Sequence, residues 1–309
     1  MATQTLGTIT NENKTFYDRA LLERMTPNLV YYKYGQHRTI PQHEGDTANF
    51  RRFGCLQAAT TALTEGTTPG GTSLSITKVE ATVSQYGDYV VVSDMLAEAG
   101  VDPVLVETAE VMGEQAALTV DTVVRDAIVT GCTNRQYAGG AASAAAITAA
   151  SVLTGAEIKK AVRNLRKNNI HPMEDGFYVG VVDPETAYDL QSDSLWQDIS
   201  KYNGGEAIMR GEIGRLYGVR FVQTSNVKTD ATTNENGTLH ETMIIGRDAY
   251  GVPELDSQEC RPQIIVKKLG SAGSADPLDQ RATVGWKVAM ACAVLDPLGM
   301  VRISHMASA

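Results

Sequence analysis

ANFRRFGC, Ala48 to Cys55, and LSITKVEATVSQYGDYVVV, Leu74 to Val92, are two β-patterned runs flanking a polar tip, Thr60 to Thr72, that holds Gly66, Pro69, Gly70 and Gly71. Such a pattern predicts a long hairpin with a loose end. In the second run Leu74 and Ile76 share one parity while Val79, Ala81 and Val83 share the other, which predicts a bulge or strong twist near Lys78. Few large aliphatics lie on either face. A hairpin of this kind buries too little to be stable alone and needs a neighbour to lie on.

Downstream, Asp102 and Pro103 form a helix start and Gly131 a natural stop. Between them Leu105, Ala109, Met112, Ala116, Val120, Val123 and Ala127 recur at steps of three and four, a narrow stripe on a helix about 40 Å long. A long helix with one narrow stripe is a strut, and a strut needs a sheet. Near the C-terminus Val284, Trp286, Val288, Met290, Cys292 and Val294 alternate with small or polar residues, which predicts a strand over 281–295 with one large apolar face. Gln263 to Leu269 is its expected partner, so the helix at 103–131 should lie on strands far away in sequence.

The region between, 150–261, reads as an α/β unit. Helices are expected over Ala156–Asn168 and from Pro184 to Leu190, strands at Phe177–Val182, Val219–Gln223 and Met243–Ile245, and a surface loop over Lys228–Gly237. Ahead of the hairpin, Phe16, Leu21, Leu22 and Met25 fit a short helix ending before Pro27, and Tyr31, Tyr32 and Tyr34 form a cluster suited to surfaces that become buried. The fold class is α+β.

Composition narrows the function. The 309 residues suffice for about two typical domains, and 43% hydrophobic with 20% charged residues describe an ordered chain. Its 27 Lys and Arg against 36 Asp and Glu leave a net charge of -9, which argues against a role whose affinity comes from neutralising phosphates. Cys55, Cys132, Cys260 and Cys292 are scattered, with neither a C-x-x-C pair nor nearby histidines, so they read as buried or idle thiols. The first ten residues are polar and lack the pattern of a signal peptide, and no run is apolar enough for a membrane span.

Chemistry is hard to find in this sequence. The tip at Thr67–Gly71 lacks the Gly-Lys-Ser/Thr ending of a phosphate loop, and Ser75 with Lys78 lies in a strand pattern where a Ser-x-x-Lys motif cannot function. His37, His43, His171, His240 and His305 show no metal-ligand spacing and read as exposed or locally bonded. Asp94, Glu98 and Asp102 read as helix-start charge, and Lys159, Lys160, Arg163, Arg166 and Lys167 as a solvated basic face. The reading therefore assigns no catalytic residue, no metal site and no cofactor, and suggests assembly.

Five blocks then carry a resemblance that spans essentially the whole chain: Phe16–Leu22 (FYDRALL), Leu63–Pro69 (LTEGTTP), Gln85–Val90 (QYGDYV), Gln136–Gly140 (QYAGG) and Lys160–Arg166 (KAVRNLR). The sequence resembles tailed-phage major capsid proteins of the Hong-Kong-97-like fold, most closely the coliphage N-four type. The resemblance implies an N-terminal arm with a short helix at 1–44, an extended loop at 45–92, and a peripheral-domain spine helix at 93–135. It further implies an axial domain at 136–261, and peripheral strands with the C-terminus at 262–309. Leu63, Thr64, Glu65, Gly66 and Pro69 become the expected subunit contact at the loop tip, while Leu105, Met112, Val120 and Val123 of the spine should pack on Trp286, Val288 and Met290.

The same resemblance implies a non-enzymatic subunit that forms pentamers and hexamers closing into an icosahedral shell around a double-stranded DNA genome. Implied partners are other copies, a portal, a separate scaffolding protein, a decoration protein and DNA contacted non-specifically, with assembly in the host cytoplasm and no membrane. Relatives that cross-link through a lysine make Lys78, the hairpin's lone lysine, the candidate for that bond. Two alternatives remain: an encapsulin-type cellular compartment, and a small-molecule enzyme with its site in the 150–261 unit.

Overall fold

A computed structural model describes residues 29–41, 43, 45–54, 56–63, 65–68, 70–99, 104–193, 214–255, 263–267, 269–270 and 277–308. In chain order the strands and α-helices are β1 Gln36–Ile40, β2 Thr47–Phe53, β3 Ile76–Thr82, β4 Ser84–Ser93, α1 Asp94–Ala99, α2 Val104–Gly131, β5 Arg135–Tyr137, α3 Gly155–Lys167, β6 Tyr178–Val182 and α4 Pro184–Ser192. They continue with β7 Arg215–Leu216, β8 Val219–Gln223, β9 Thr229–Asp230, β10 Leu239–Ile245, β11 Tyr250–Leu255, β12 Gln263–Lys267, β13 Arg281–Met290, β14 Ala293–Val294 and β15 Met300–His305. The helix expected at Phe16–Met25 lies outside the described residues.

A six-stranded sheet runs β1-β11-β13-β12, with β14 beside β11 and β4 beside β13. Its centre is β13, antiparallel to β12 from Gln263↔Lys287 to Lys267↔Thr283 and to β4 over its full ten residues, Arg281↔Ser93 to Met290↔Ser84. The alternation of Val284, Trp286, Val288 and Met290 places all four in the core that α2 also lines. The strand expected over 281–295 ends at Met290, and Ala293–Val294 turns to β11 instead.

Helix α2 is the strut. Ala109, Met112, Ala116, Ala117, Val120, Val124 and Ile128 are buried, so the stripe drifts in the second half: Val124 and Ile128 point inward where Val123 and Ala127 were expected. Val123 is only partly buried against the same core. A straight helix turns 100° per residue, so a stripe read at steps of three and four must shift its phase over 28 residues. A polar bridge ties the strut to both strands: the indole Nε1 of Trp286 donates to Gln115 Oε1 at 3.1 Å, and Gln115 Nε2 donates to Asp88 Oδ2 of β4 at 2.7 Å.

A seven-stranded sheet runs β5-β15-β10-β6-β8-β7, with β9 alongside β10. Val179, Val181, Met243 and Ile245 turn one face to the α2 core, and Tyr178, Val182, Ile244, Val301 and Ile303 turn the other to α3 and α4. Strand membership does not follow a cut between 261 and 262. β15, from the C-terminal segment, pairs with β10 and β5, whereas β11, from the 136–261 segment, joins the other sheet. The cause is the partner set of β10, whose Glu241 pairs with Arg302 and whose Thr242 Oγ1 lies 2.9 Å from His305 Nε2.

The hairpin is shorter than its sequence pattern. β2 and β3 pair in unbroken register from Thr47↔Thr82 to Phe53↔Ile76, so no bulge occurs near Lys78. The parity change comes at Val83, where the chain stops pairing with β2 and Ser84 begins pairing with β13. Half of the expected outbound run thus finds its neighbour within its own chain.

Candidate subunit-contact surfaces

The base of the hairpin is anchored and its tip is not. Ala48, Phe50 and Ala81 are buried with Ile40 and Ala291, and the Phe50 ring lies against Gly251, where a Cβ would approach its atoms to 2.6 Å. Arg52 Nη1 reaches Asp296 Oδ1 at 2.9 Å. Beyond that point Phe53 and Ile76 form the last, exposed pair, and Leu56, Leu63 and Leu74 continue the exposed apolar series around the tip.

Leu63 is 76% exposed, Glu65 is exposed, and Gly66 adopts φ 77° with open space where a side chain would stand. Thr64 and Pro69 lie outside the described residues. A second exposed apolar strip follows on β4 and α1, with Tyr89, Val90, Val91, Met95 and Leu96. Among the described residues β4 is an edge strand, so its outer backbone groups and these side chains together form a surface that soluble monomers usually blunt.

The spine residues divide. Met112, Val120, Trp286, Val288 and Met290 share one buried cluster, with Val123 at its margin. The Leu105 side chain lies outside the described residues. Sequence reasoning missed Asp121, which is buried within the helical stripe. Its Oδ1 accepts from the backbone N–H groups of Val30, Tyr31 and Tyr32 at 3.0, 2.7 and 3.2 Å, and Asn226 Nδ2 donates to Oδ2 at 3.2 Å. Burial pushes its carboxyl up to about 6 against those bonds. Tyr31 is wholly buried, and its carbonyl accepts from the Tyr250 hydroxyl. A lone acid amid Val120, Val123 and Val124 was the signal for this clamp.

Of the histidines read as exposed or locally bonded, His240 and His305 are buried and bonded. His240 Nδ1 lies 2.9 Å from Asp183 Oδ2 and its Nε2 lies 3.4 Å from Glu185 Oε2. The bond to Asp183 raises His240 above the usual imidazole range. Burial works against the Asp183 carboxylate, yet hydrogen bonds from His240 and Thr186 outweigh it and hold it at about 2. These three residues are the group of metal-ligating side chains that converges among the described residues. Each imidazole nitrogen already faces a different carboxylate, so mutual charge compensation accounts for the trio. Burial lowers His305 to about 4.

Other expected features stand as follows. Asp94 opens α1 and its Oδ1 accepts from Met95 N–H, while the Glu98 side chain and Asp102 lie outside the described residues. Cys132 and Cys292 are free thiols; Cys55 and Cys260 lie outside the described residues. Asn234 of the loop at Lys228–Gly237 is buried, and its Nδ2 donates to the carbonyls of Ala144 and Ile147 at 2.8 Å each. Lys78 is exposed and pairs with Glu80 on the same strand. Among the described residues no helix is long and apolar enough to cross a membrane.

The chain is similar to the capsid of cyanophage P-SCSP1u at 18% identity and a TM-score of 0.67, covering 91% of this chain and 89% of that one. It is similar to the capsid of Ralstonia phage GP4 at 15% identity and a TM-score of 0.69, covering 89% and 88%. A virus-like particle from Pyrococcus furiosus matches at 12% identity and a lower TM-score of 0.53, covering 94% and 99%. At these identities the likeness establishes the fold. No curated protein matches the sequence. The sequence model of the family described as phage capsid protein matches residues 76–303, well over half of the chain. On that match, and with the Hong-Kong-97-like fold it shares with solved phage capsids, the chain belongs to the phage capsid protein family.

Proposed function

We propose that this major capsid protein assembles as pentamers and hexamers into an icosahedral shell around the double-stranded DNA of a tailed phage. The observation that carries this reading is the hairpin beyond Arg52, where Phe53 and Ile76 end a two-stranded ribbon and Leu56, Leu63 and Leu74 continue into its tip, all five exposed. Two strands with uncovered apolar faces gain stability only from a third surface, and a second copy supplies it. Leu63, Thr64, Glu65, Gly66 and Pro69 make the subunit contact. Each contact need only be modest, because every subunit engages several neighbours and closed symmetry limits growth.

In this reading 1–44 is the arm, 45–92 the extended loop, 93–135 with 262–309 the peripheral domain, and 136–261 the axial domain, with β11 and β15 crossing between sheets. The five sequence blocks support a capsid of the coliphage N-four type. A separate scaffolding protein directs assembly, a portal and a decoration protein complete the particle, and DNA is held by confinement because an acidic chain grips phosphates weakly. Family and fold make the role structural. An encapsulin-type compartment is less supported, since the family match is to phage capsids.

The test is deletion of residues 60–72. Negative-stain microscopy of the intact chain should show closed particles and the deletion should leave capsomers or free subunits. Particles of unchanged yield and size from the deletion would overturn the role given to the loop. A discrete monomer or dimer from the intact chain, both expressed alone and together with its operon neighbours, would overturn the shell.

A further inference from the structure

Helices α3 and α4 stand on the same face of the seven-stranded sheet and carry opposite charge. α3 buries Ile158, Ala161, Val162 and Leu165 and turns Lys159, Lys160, Arg163, Arg166 and Lys167 outward. Glu157 accepts from Lys160 at 2.7 Å, but among the described residues no carboxylate pairs with Arg163, Arg166 or Lys167. These cations border an open cleft of about 710 Å³ lined by Lys159, Val162, Arg163, Arg166, Lys167 and Tyr217. The ammonium of Lys159 stands 4.3 Å from the centre of the Tyr217 ring. The cleft therefore has a basic wall and an apolar, aromatic floor.

α4 is the converse shape. It buries Thr186, Ala187 and Leu190 and exposes Tyr188 by 68% together with Glu185, which faces His240 at 3.4 Å from its inner side; Asp189 is half-buried beside them and accepts from the Ser308 N–H at 2.9 Å, and α4 has no cation anywhere in its sequence. An aromatic ring bracketed by carboxylates fits a cleft of guanidinium and ammonium groups through cation–π contact and charge pairing together.

Resting on the shell reading above, we infer that the basic cleft of α3 receives the Glu185–Tyr188–Asp189 ridge of α4 from a second copy of this chain. In the rings of the shell reading each cleft takes the ridge of the next copy, a head-to-tail contact of the kind that closes rings. Nucleic acid fits less well. Glu185, Asp189 and Asp193 lie on the same layer as the cleft and would repel a phosphate backbone running across it.

Charge exchange tests the pairing. Arg163→Glu with Arg166→Glu should leave subunit melting near wild type while lowering particle yield about tenfold; Glu185→Lys with Asp189→Lys should lower the yield likewise, with some loss of melting temperature because it also breaks the His240 and Ser308 contacts. One chain carrying all four substitutions should regain assembly, because each reversed ridge then meets a reversed cleft. If a reversal prevents folding, Arg163→Gln with Arg166→Gln replaces it, and its particle yield should show a weaker dependence on NaCl than wild type.

Normal assembly of either reversal would overturn the inference, as would a four-substitution chain that folds but stays unassembled. An α3 variant that assembles fully but loses packaged DNA would overturn it in favour of a genome-facing patch. Failure of the wild type to form particles would instead contradict the shell reading itself.

Discussion

The hairpin β2–β3 and the seven-stranded sheet are both built from short strands, yet they differ in where their stability comes from. Every residue of β6 and β10 is buried, between α2 on one face and α3 with α4 on the other. Across the fourteen residues of β2 and β3 only Ala48, Phe50 and Ala81 are buried, all at the end near the body. The sheet is stabilised by its own chain. The ribbon is held at its root and depends for the rest on surface it does not carry, which is the property expected of a part that works between subunits.

Substitutions should separate the two regions by size of effect. Ile244→Ala, on the fully buried β10, should destabilise the subunit by about 4 kcal/mol in urea unfolding, with assembly lost only as a consequence. A change under about 1 kcal/mol would mean that the sheet is not the stable body.

A smaller effect should follow from pH. His305 is wholly buried and held near 4, so its neutral form is favoured in the folded state. The stability it contributes is present above the ordinary 6.5 and is lost as pH falls through about 4, giving a loss of about 2 kcal/mol between pH 7 and pH 5. His240 is raised, so its contribution runs the other way, present below 6.5 and lost as pH rises through its folded value. Asp183, held at about 2, leaves the window from pH 5 to 7 untouched, whereas Asp121, pushed up to about 6, adds stability as pH falls through that window and offsets part of the His305 loss. Replacing His305 with Gln should flatten the loss between pH 7 and pH 5, and an unchanged slope in urea titrations at the two pH values would contradict this account.

The smallest effect on the subunit belongs to the ribbon. Leu63→Ala at the exposed tip should change subunit stability by less than about 0.5 kcal/mol while reducing particle yield. Equal loss in both measurements would erase the contrast between the regions.

Local signals accounted for much of this architecture. Periodicity, Pro103 and Gly131 marked α2 to within a residue of its observed bounds, and alternation from Val284 to Met290 marked β13 together with its partner β12. What escaped was decided by contacts distant in sequence. The run from Leu74 to Val92 is continuously β-patterned, and nothing local says that Thr82 pairs with β2 while Ser84 pairs with β13. β10 was read as only Met243–Ile245 because His240, Glu241 and Thr242 look like loop residues. Their partners are Asp183, Arg302 and His305, some sixty residues away, and those contacts make burial possible.

The same limit applies to the contact surfaces. The sparse apolar content of the tip was visible, but the exposed strip on β4 and α1 emerged only when β4 proved to be an edge strand. The opposed charges of α3 and α4 gained meaning only when both helices were found on one face of one sheet.

Hydrogen exchange over residues 50–82, measured on free subunits and again on assembled particles, addresses the dependence of the ribbon on another molecule most directly. Backbone amides from Phe53 to Ile76 should exchange within seconds in the free subunit and slow by at least about a hundredfold in the particle, while β6 and β10 stay protected in both. Equal protection of the ribbon in the free subunit would show that it is supported by its own chain, and would contradict the account.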